Sequence, residues 1–166
     1  NNQDRRILIT VGHWLYALNS ATGKLVVSFG QNGRVNLKEG LGRETDQLFV
    51  LSNTPGILFE DRLIIGTRVS EGPGPTAPGH IRAYNVLDGS MEWIFHTIPQ
   101  PGEMGIDTWP EEAWKTMGGA NTWSGMSLDI KRGWIFCPTG SPAFDFWGGN
   151  RHGRNLFGNC LLVLNA

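Results

Sequence analysis

The fold is decided by the stretch AYNVLDGSMEW at residues 83–93, because the same pattern occurs earlier in the chain as ALNSATGK at residues 17–24. In both copies a small residue is followed by an asparagine two positions later and by a turn glycine six positions later. A β-prone run follows the glycine in each copy, which is typical of a β-hairpin. A third copy begins with LLVLN at residues 161–165 and the chain ends at Ala166, so we expect the chain to be a fragment.

Short strands account for most of the predicted secondary structure. They are expected at about residues 6–11, 15–19, 25–29, 56–60, 63–69, 80–85, 91–96, 123–129, 134–138 and 161–165, and helix should be scarce. Strands at this spacing with aligned hairpins predict an all-β fold that is part of a β-propeller. We expect a single propeller domain over residues 1–166, with one complete four-stranded antiparallel blade at about 54–96 and two incomplete blades at about 6–29 and 122–166.

The connections divide into two sets that should lie at opposite ends of the blades. Tight turns are predicted around residues 22–24, 60–62, 88–90 and 129–133, whereas long insertions span about 30–51, 70–79, 98–120 and 141–159. In an antiparallel meander, alternate connections share one end of the sheet, and every long insertion here falls on the same end. Functional residues usually lie on the looped end of a rigid scaffold, so we expect the site there.

Composition excludes several classes of function. The formal net charge is −1, which offers no electrostatic footprint for nucleic acid. No apolar run reaches the roughly 18 residues that a membrane span needs, and the first residues do not form a signal peptide. The sequence shows no Ser-His-Asp pattern, no His/Cys metal cluster and no phosphate-binding glycine loop. The two cysteines, Cys137 and Cys160, lie in apolar runs, which favours free thiols over a disulfide.

Three residues on the looped end have a functional interpretation and an ordinary one. Glu71 follows a predicted strand and is either a ligand for a hard cation or a solvated loop acid. Trp123 follows GGANT and is either a flat stacking surface for a ligand or a core tryptophan. Ser141 ends a predicted strand, where its hydroxyl or carbonyl reaches towards the propeller axis or simply forms a turn. Trp93 and Trp134 are expected to pack between blades.

Several segments together resemble one known family. The segments are GTRVSE at 66–71, DTWPEEAWK at 107–115, GGANTW at 118–123 and FWGGNR at 146–151. In order and spacing they resemble the eight-bladed quinoprotein dehydrogenases, which use pyrroloquinoline quinone (PQQ), and the hairpin with its trailing tryptophan resembles the tryptophan-docking repeat of that family. The match is closest to the membrane-bound glucose dehydrogenase branch and covers essentially the whole chain.

The resemblance implies a role for each residue near the cofactor. Trp123 would be the floor on which the quinone ring stacks. The pair Asn121 and Thr122, together with the backbone from Arg68 to Ser70, would line the cofactor.

The resemblance also implies a cation held against PQQ, either Ca²⁺ or a similar divalent ion. Glu71 stands at the acidic position of the family, and Ser141 stands where the methanol-oxidising members carry a metal-binding asparagine. That difference changes the coordination of the metal. The catalytic aspartate of the family lies on a later blade, so no catalytic residue is assigned and the chain alone should be inactive.

The expected function is oxidation of an alcohol or a glucose-type sugar by hydride transfer to the quinone. Electrons would pass to a haem domain or to ubiquinone, and members of the family face the periplasm. The alternative is a non-catalytic propeller scaffold of the outer-membrane assembly lipoprotein type. Glu71 and the stretch 118–123 favour the enzyme, because a scaffold has no reason to combine an axial carboxylate with a stacking indole. Unpaired strands in the incomplete blades also predict self-association of the isolated chain.

Overall fold

The structure is a computed structural model that describes residues 4–166. Its twelve strands are short, and the only α-helix in the described part of the chain is α1, of four residues. The strands are β1 (Arg6–Val11), β2 (Trp14–Asn19), β3 (Arg34–Asn36), β4 (Val50–Leu51), β5 (Ile57–Phe59), β6 (Arg62–Ile65), β7 (Arg68–Val69), β8 (Ile81–Asn85), β9 (Met91–Phe95), β10 (Ser127–Asp129), β11 (Trp134–Pro138) and β12 (Leu161–Asn165), with α1 at Ala113–Thr116 and a 3₁₀ turn at Ile106–Thr108.

The sheets confirm the predicted blades. A four-stranded antiparallel sheet, ordered β5-β6-β8-β9, lies between two three-stranded sheets, β1-β2-β3 and β10-β11-β12. A further small sheet pairs β4 with β7 at the looped end. The fold is therefore all-β, with one complete blade and two three-stranded ones.

The two copies of the hairpin repeat make the same turn. In the first copy the backbone N–H of Asn19 donates to Lys24 O and that of Gly23 donates to Asn19 O, both at 2.8 Å. In the second copy Asn85 donates to Ser90 O at 2.8 Å and Gly89 donates to Asn85 O at 2.9 Å. Both turn glycines have a positive φ, 68° and 78°, which explains why glycine occupies this position.

After the turn the first copy departs from the prediction. The expected strand at 25–29 is wrong, since only Leu25 pairs with β2, through an isolated bridge to Leu18. The chain then leaves the sheet and returns as β3, which pairs with β2 from Arg34 to Asn36. The cause is Phe29, which is fully buried in the core between the first two sheets and turns the backbone inward.

Two other predicted strands are shorter in the structure. The strand expected at 63–69 is divided into β6 and β7, and β7 leaves the blade to pair with β4. The strand expected at 123–129 begins only at Ser127, because the chain turns at Gly125, whose φ is 100°. The residues before Gly125 are held by contacts to the loops instead.

The core lies between the sheets, and β6 contributes to both of its halves. Successive side chains of a strand point to opposite faces. Leu63 and Ile65 accordingly pack against Leu15 and Ala17 of the first sheet, whereas Ile64 packs against Ile135 of the third sheet. A strand buried on both faces fixes its register, since a slip of one residue would exchange the two sets.

The long loops gather at one end, as the connection pattern predicted. Arg43 in the loop after β3 donates to the carbonyls of Thr76 and Met117, which lie in the next two long loops. The loop after β11 is joined to the others by the N–H of Asn155, which donates to Thr108 O at 3.0 Å. Over residues 4–166, none of the helices has the length and apolarity required to cross a membrane.

Candidate functional site

The centre of the looped end is an extended segment at residues 118–123, called the ribbon below. On one side it contacts the loop between β7 and β8. Gly119 N–H donates to Ala77 O at 3.1 Å, and Gly119 O accepts from Gly79 N–H at 2.9 Å. The buried amide of Asn121 donates through Nδ2 to Thr67 O at 2.8 Å. These bonds attach the ribbon to the end of the complete blade.

On its other side the ribbon is paired with the segment that follows β11. Ala120 N–H donates to Ser141 O at 2.9 Å, and Asn121 O accepts from Gly140 N–H at 3.0 Å. Further along, Ala143 N–H donates to Gly118 O at 2.9 Å. The ribbon therefore acts as a strand between two neighbours, although it belongs to none of the three blades.

Glycine is required where the ribbon approaches its neighbours most closely. A Cβ atom at Gly66 would lie 2.0 Å from Thr122 O, and one at Gly79 would lie 2.2 Å from the Cβ of Asn121. Real Cβ atoms do not approach backbone or side-chain atoms at such distances. The absence of side chains at these two positions allows the ribbon to lie directly on the segment between β6 and β7 and on the loop before β8.

Trp123 ends the ribbon with a half-exposed indole. Its side chain and backbone together are 52% exposed, so the indole is not buried among residues 4–166. Its carbonyl accepts a hydrogen bond from Thr54 Oγ1 at 2.6 Å, which fixes the backbone. A Cβ at Gly140 would lie 3.1 Å from the indole Nε1, so the ring edge rests on backbone while a large part of the indole is open to a planar ligand.

Glu71 lies at the same end, on the loop after β7. Its side chain is 51% exposed and its closest charged partner is Arg68, with 4.0 Å between Oε1 and the Arg68 Nε. An exposed ion pair at this distance is weak. Such a carboxylate is able to turn towards a cation.

The second acid at this position is Asp145, which the sequence analysis did not select. Its backbone N–H donates to Glu71 O at 3.0 Å. Partial burial and then the negative charge of Glu71 raise the pKa of Asp145, and the Arg151 guanidinium opposes them. Two carboxylates that repel each other form a negative region that would favour a bound cation.

Each oxygen atom of Ser141 makes one hydrogen bond. Its carbonyl accepts from the ribbon, and its hydroxyl lies 3.2 Å from Oδ1 of Asn159. Asn159 was also missed by the sequence analysis, because it lies 18 residues further along the chain. Only the folded backbone brings the two residues together, so no local sequence signal identifies this pair.

The predicted site residues therefore fall into two linked groups. Asn121, Thr122 and Trp123 lie on the ribbon, and Ser141 lies beside them. Arg68 lies in β7, and Ser70 and Glu71 lie on the loop that follows it; this stretch contacts the ribbon through Thr67, the residue before β7. The two groups are joined again where Asp145 contacts Glu71.

The donors present suit an oxygen-ligated cation and a planar ligand with polar edges. Carboxylate, hydroxyl and carbonyl oxygens are the ligands of hard cations such as Ca²⁺. The hydroxyl of Thr122 is buried and has no hydrogen-bond partner among residues 4–166, so a polar atom remains to be satisfied on the ribbon. Within the same residues, no three His, Cys, Asp or Glu side chains are grouped as a metal site.

Comparison with known proteins assigns the chain to a family. All of residues 1–166 match the family described as PQQ: glucose/ethanol/alcohol dehydrogenase, beta-propeller domain. Quinate/shikimate dehydrogenase (quinone) of Acinetobacter baylyi is 37% identical over 95% of this chain and 19% of its own length. Quinoprotein glucose dehydrogenase A of Acinetobacter calcoaceticus is 31% identical over 98% of this chain and 20% of its own. The chain thus spans about a fifth of the length of these relatives.

A solved structure supports the fold. The quinohemoprotein alcohol dehydrogenase of Comamonas testosteroni superposes with a TM-score of 0.76 at 22% identity, over 96% of this chain and 24% of that one. This superposition shows that the fold is the same, whereas the family match was found from the amino-acid sequence. Together with the blades and the ribbon, they lead to one conclusion: the chain belongs to the β-propeller family of PQQ-dependent quinoprotein dehydrogenases.

Proposed function

We propose that the chain is the cofactor-binding part of a longer PQQ-dependent dehydrogenase that oxidises an alcohol or a glucose-type sugar. The observation that carries the proposal is the half-exposed indole of Trp123, held at the end of a hydrogen-bonded ribbon and beside oxygen donors. A flat, rigid surface fixed by backbone on both sides is what a stacked aromatic cofactor needs.

The ribbon and the neighbouring loop would hold the cofactor. Trp123 would form the floor, and the buried hydroxyl of Thr122 would find its missing partner in a polar atom of the ligand. Asn121 acts mainly by holding the ribbon, since its amide already donates to Thr67 O. Arg68 and the backbone to Ser70 would face the acidic edge of the cofactor, where a half-exposed guanidinium favours negative charge.

Glu71 and Ser141 would hold a divalent cation, for which Ca²⁺ is our candidate. Glu71, whose carboxylate is half exposed, would supply the charge, and Ser141 would supply a neutral oxygen in place of the asparagine of the methanol-oxidising members. When bound, PQQ supplies a hydride acceptor and the cation acts as a Lewis acid on it. The residues of this chain orient and bind these groups; the base that removes the substrate proton would lie on another part of the protein.

The substrate class follows from the relatives. Those described above are named for quinate or shikimate and for glucose, and a third, from Gluconobacter oxydans, for glycerol, and all of these substrates carry hydroxyl groups. We therefore expect a hydroxylated substrate, with ubiquinone or a haem domain as electron acceptor and a location in the periplasm. The isolated chain should not turn over substrate.

The test is reconstitution of the full-length protein with PQQ and Ca²⁺, followed by dye-linked oxidation of glucose, glycerol, quinate and simple alcohols. Glu71→Gln and Trp123→Ala should each remove most of the activity. Two matched variants serve as controls. Glu111→Gln changes another exposed loop acid, and Trp134→Ala changes another partly exposed tryptophan, so both should retain activity.

Two results would contradict the proposal. Activity that survives in both site variants would remove Glu71 and Trp123 from the site. A folded full-length protein that binds no PQQ and oxidises none of these substrates would favour the non-catalytic scaffold of the outer-membrane assembly type.

A further inference from the structure

The contact between Ser141 and Asn159 has a direction that matters for a bound cation. The Oγ of Ser141 lies 3.2 Å from Oδ1 of Asn159. An amide oxygen accepts hydrogen bonds and never donates, so the serine hydroxyl must be the donor. The proton of Ser141 therefore points towards Asn159, and both lone pairs of Oγ remain available on the other side.

A hydroxyl group binds a cation only through a lone pair, and its proton must point away from the ion. A serine without a fixed acceptor rotates freely and offers its proton as readily as its lone pairs. A hydrogen bond from the ligand to a neighbouring residue removes this freedom and orients the ligand. We propose that Asn159 is a positioning residue that accepts the Ser141 proton and so turns the serine oxygen towards the cation held by Glu71. This inference rests on the function proposed above.

The backbone holds Asn159 in place for this task. Its N–H donates to Gly140 O at 3.0 Å, which ties it to the residue before Ser141. Its φ is 53°, a left-handed conformation that asparagine tolerates better than most residues. The carbonyl of Ser141 is meanwhile engaged by Ala120 N–H at 2.9 Å. The backbones of Ser141 and Asn159 are thus both held by hydrogen bonds, which keep the two side chains in contact.

The pair also explains how a serine replaces the metal-binding asparagine of the methanol-oxidising members. The position that would lie next to the cation carries a short hydroxyl, and the amide oxygen of Asn159 lies 3.2 Å from that hydroxyl. The neutral donor is retained, and its orientation is supplied by a second residue. Glu71 would remain the charged ligand in this arrangement.

The experiment measures Ca²⁺ affinity by calorimetric titration of the full-length protein saturated with PQQ. Asn159→Gly removes the acceptor and keeps a residue that suits the positive φ, so the fold is preserved. We expect Ca²⁺ to bind about 10- to 100-fold more weakly. Asn159→Asp retains an acceptor that cannot donate, and it should bind Ca²⁺ at least as tightly as the unmodified protein.

Two further variants separate orientation from a general structural effect. Ser141→Ala should weaken Ca²⁺ binding, and adding Asn159→Gly to it should cause little further loss, because the asparagine acts only through the serine hydroxyl. Asn150→Ala, an exposed asparagine of the same loop, should leave the affinity unchanged.

The inference is overturned if Asn159→Gly binds Ca²⁺ normally, if Asn159→Asp is as weak as Asn159→Gly, or if the losses of the double variant are additive. Glu71→Gln distinguishes this from failure of the proposed function. If Glu71→Gln weakens Ca²⁺ binding and Asn159→Gly does not, only the role of Asn159 is wrong. If Glu71→Gln has no effect either, the proposed cation site is wrong and the inference falls with it.

Discussion

Substitution of Gly66 by alanine should loosen the ribbon that carries Trp123. The new methyl carbon would lie 2.0 Å from the carbonyl oxygen of Thr122, and the nearest side-chain atom of the same residue is 2.9 Å away. To reach ordinary contact the ribbon would have to move by about 1.5 Å. Such a shift would stretch the bond from Asn121 Nδ2 to Thr67 O, which is 2.8 Å long. Overpacking of this kind costs about 1–3 kcal/mol.

Amide hydrogen exchange measures this loss of stability at the ribbon itself. The N–H groups of Gly119 and Ala120 both donate within the ribbon's two pairings. A loss of about 1–3 kcal/mol corresponds to exchange of the peptide covering residues 118–123 that is roughly 5- to 150-fold faster. Gly72→Ala is the matched control, since a Cβ at Gly72 meets nothing within 4 Å and should leave exchange unchanged. Equal exchange in the Gly66→Ala and Gly72→Ala variants would refute the close packing of ribbon and loop.

Three further predictions concern stability and reactivity. Burial, followed by neighbouring positive charges, holds the pKa of His80 well below its usual 6.5. The unfolded chain therefore binds a proton that the folded chain does not. The free energy of unfolding should therefore have its full value above about pH 7 and should fall by up to ~1.4 kcal/mol per pH unit as the pH drops below 6.5. When the free energy of unfolding is measured by urea titration at a series of pH values, it should depend less steeply on pH in His80→Gln than in the unmodified protein. An unchanged pH dependence would contradict this assignment. Burial raises the pKa of Cys137 to about 12, so a thiol reagent should label the half-buried Cys160 first and Cys137 only on unfolding. Fast labelling of the folded protein that persists in Cys160→Ser would show instead that the reagent reaches Cys137 without unfolding. Gly89→Ala should be more destabilising than Gly23→Ala in urea titrations, although both turns have positive φ. Only at Gly89 would the Cβ meet another part of the chain, 2.8 Å from a valine methyl of the first sheet, and equal losses would exclude that contact.

The turns and the blades were predictable from sequence because their determinants are local. The glycines at 23 and 89, the asparagines four positions before them and the apolar alternation all lie within single hairpins. The predicted strands at 6–11, 134–138 and 161–165 have the bounds found in the structure. Local sequence patterns are therefore sufficient to predict these turns and strands.

The departures arise where a distant contact decides the backbone. Val26 to Phe29 has the composition of a strand, yet Phe29 is drawn into the core between two sheets and the chain leaves the edge. The ribbon covers the end of the predicted insertion at 98–120 and only the first residue of the predicted strand at 123–129, yet it pairs like a strand with loops that are about 20 to 40 residues away in sequence. Tertiary packing overrides propensity at both places.

The candidate site was predictable in part. Glu71, Trp123 and Ser141 were selected from their positions on the looped end, and the structure places them on the ribbon and the two segments beside it. Asp145 had a weak signal, an acid between two aromatic residues four positions after Ser141. Asn159 had none, because its significance depends on a contact between the two ends of the loop that joins β11 to β12, and only the fold creates that contact.

The most direct test of the cofactor site is an equilibrium titration of the full-length apoprotein with PQQ in the presence of Ca²⁺. Quenching of tryptophan fluorescence and calorimetry both report the dissociation constant. The account predicts saturable binding that is weakened about tenfold or more in Trp123→Ala, since one stacking face is lost, and that is unchanged in Trp134→Ala. Binding of equal strength in all three proteins, or no binding in a folded protein, would contradict it.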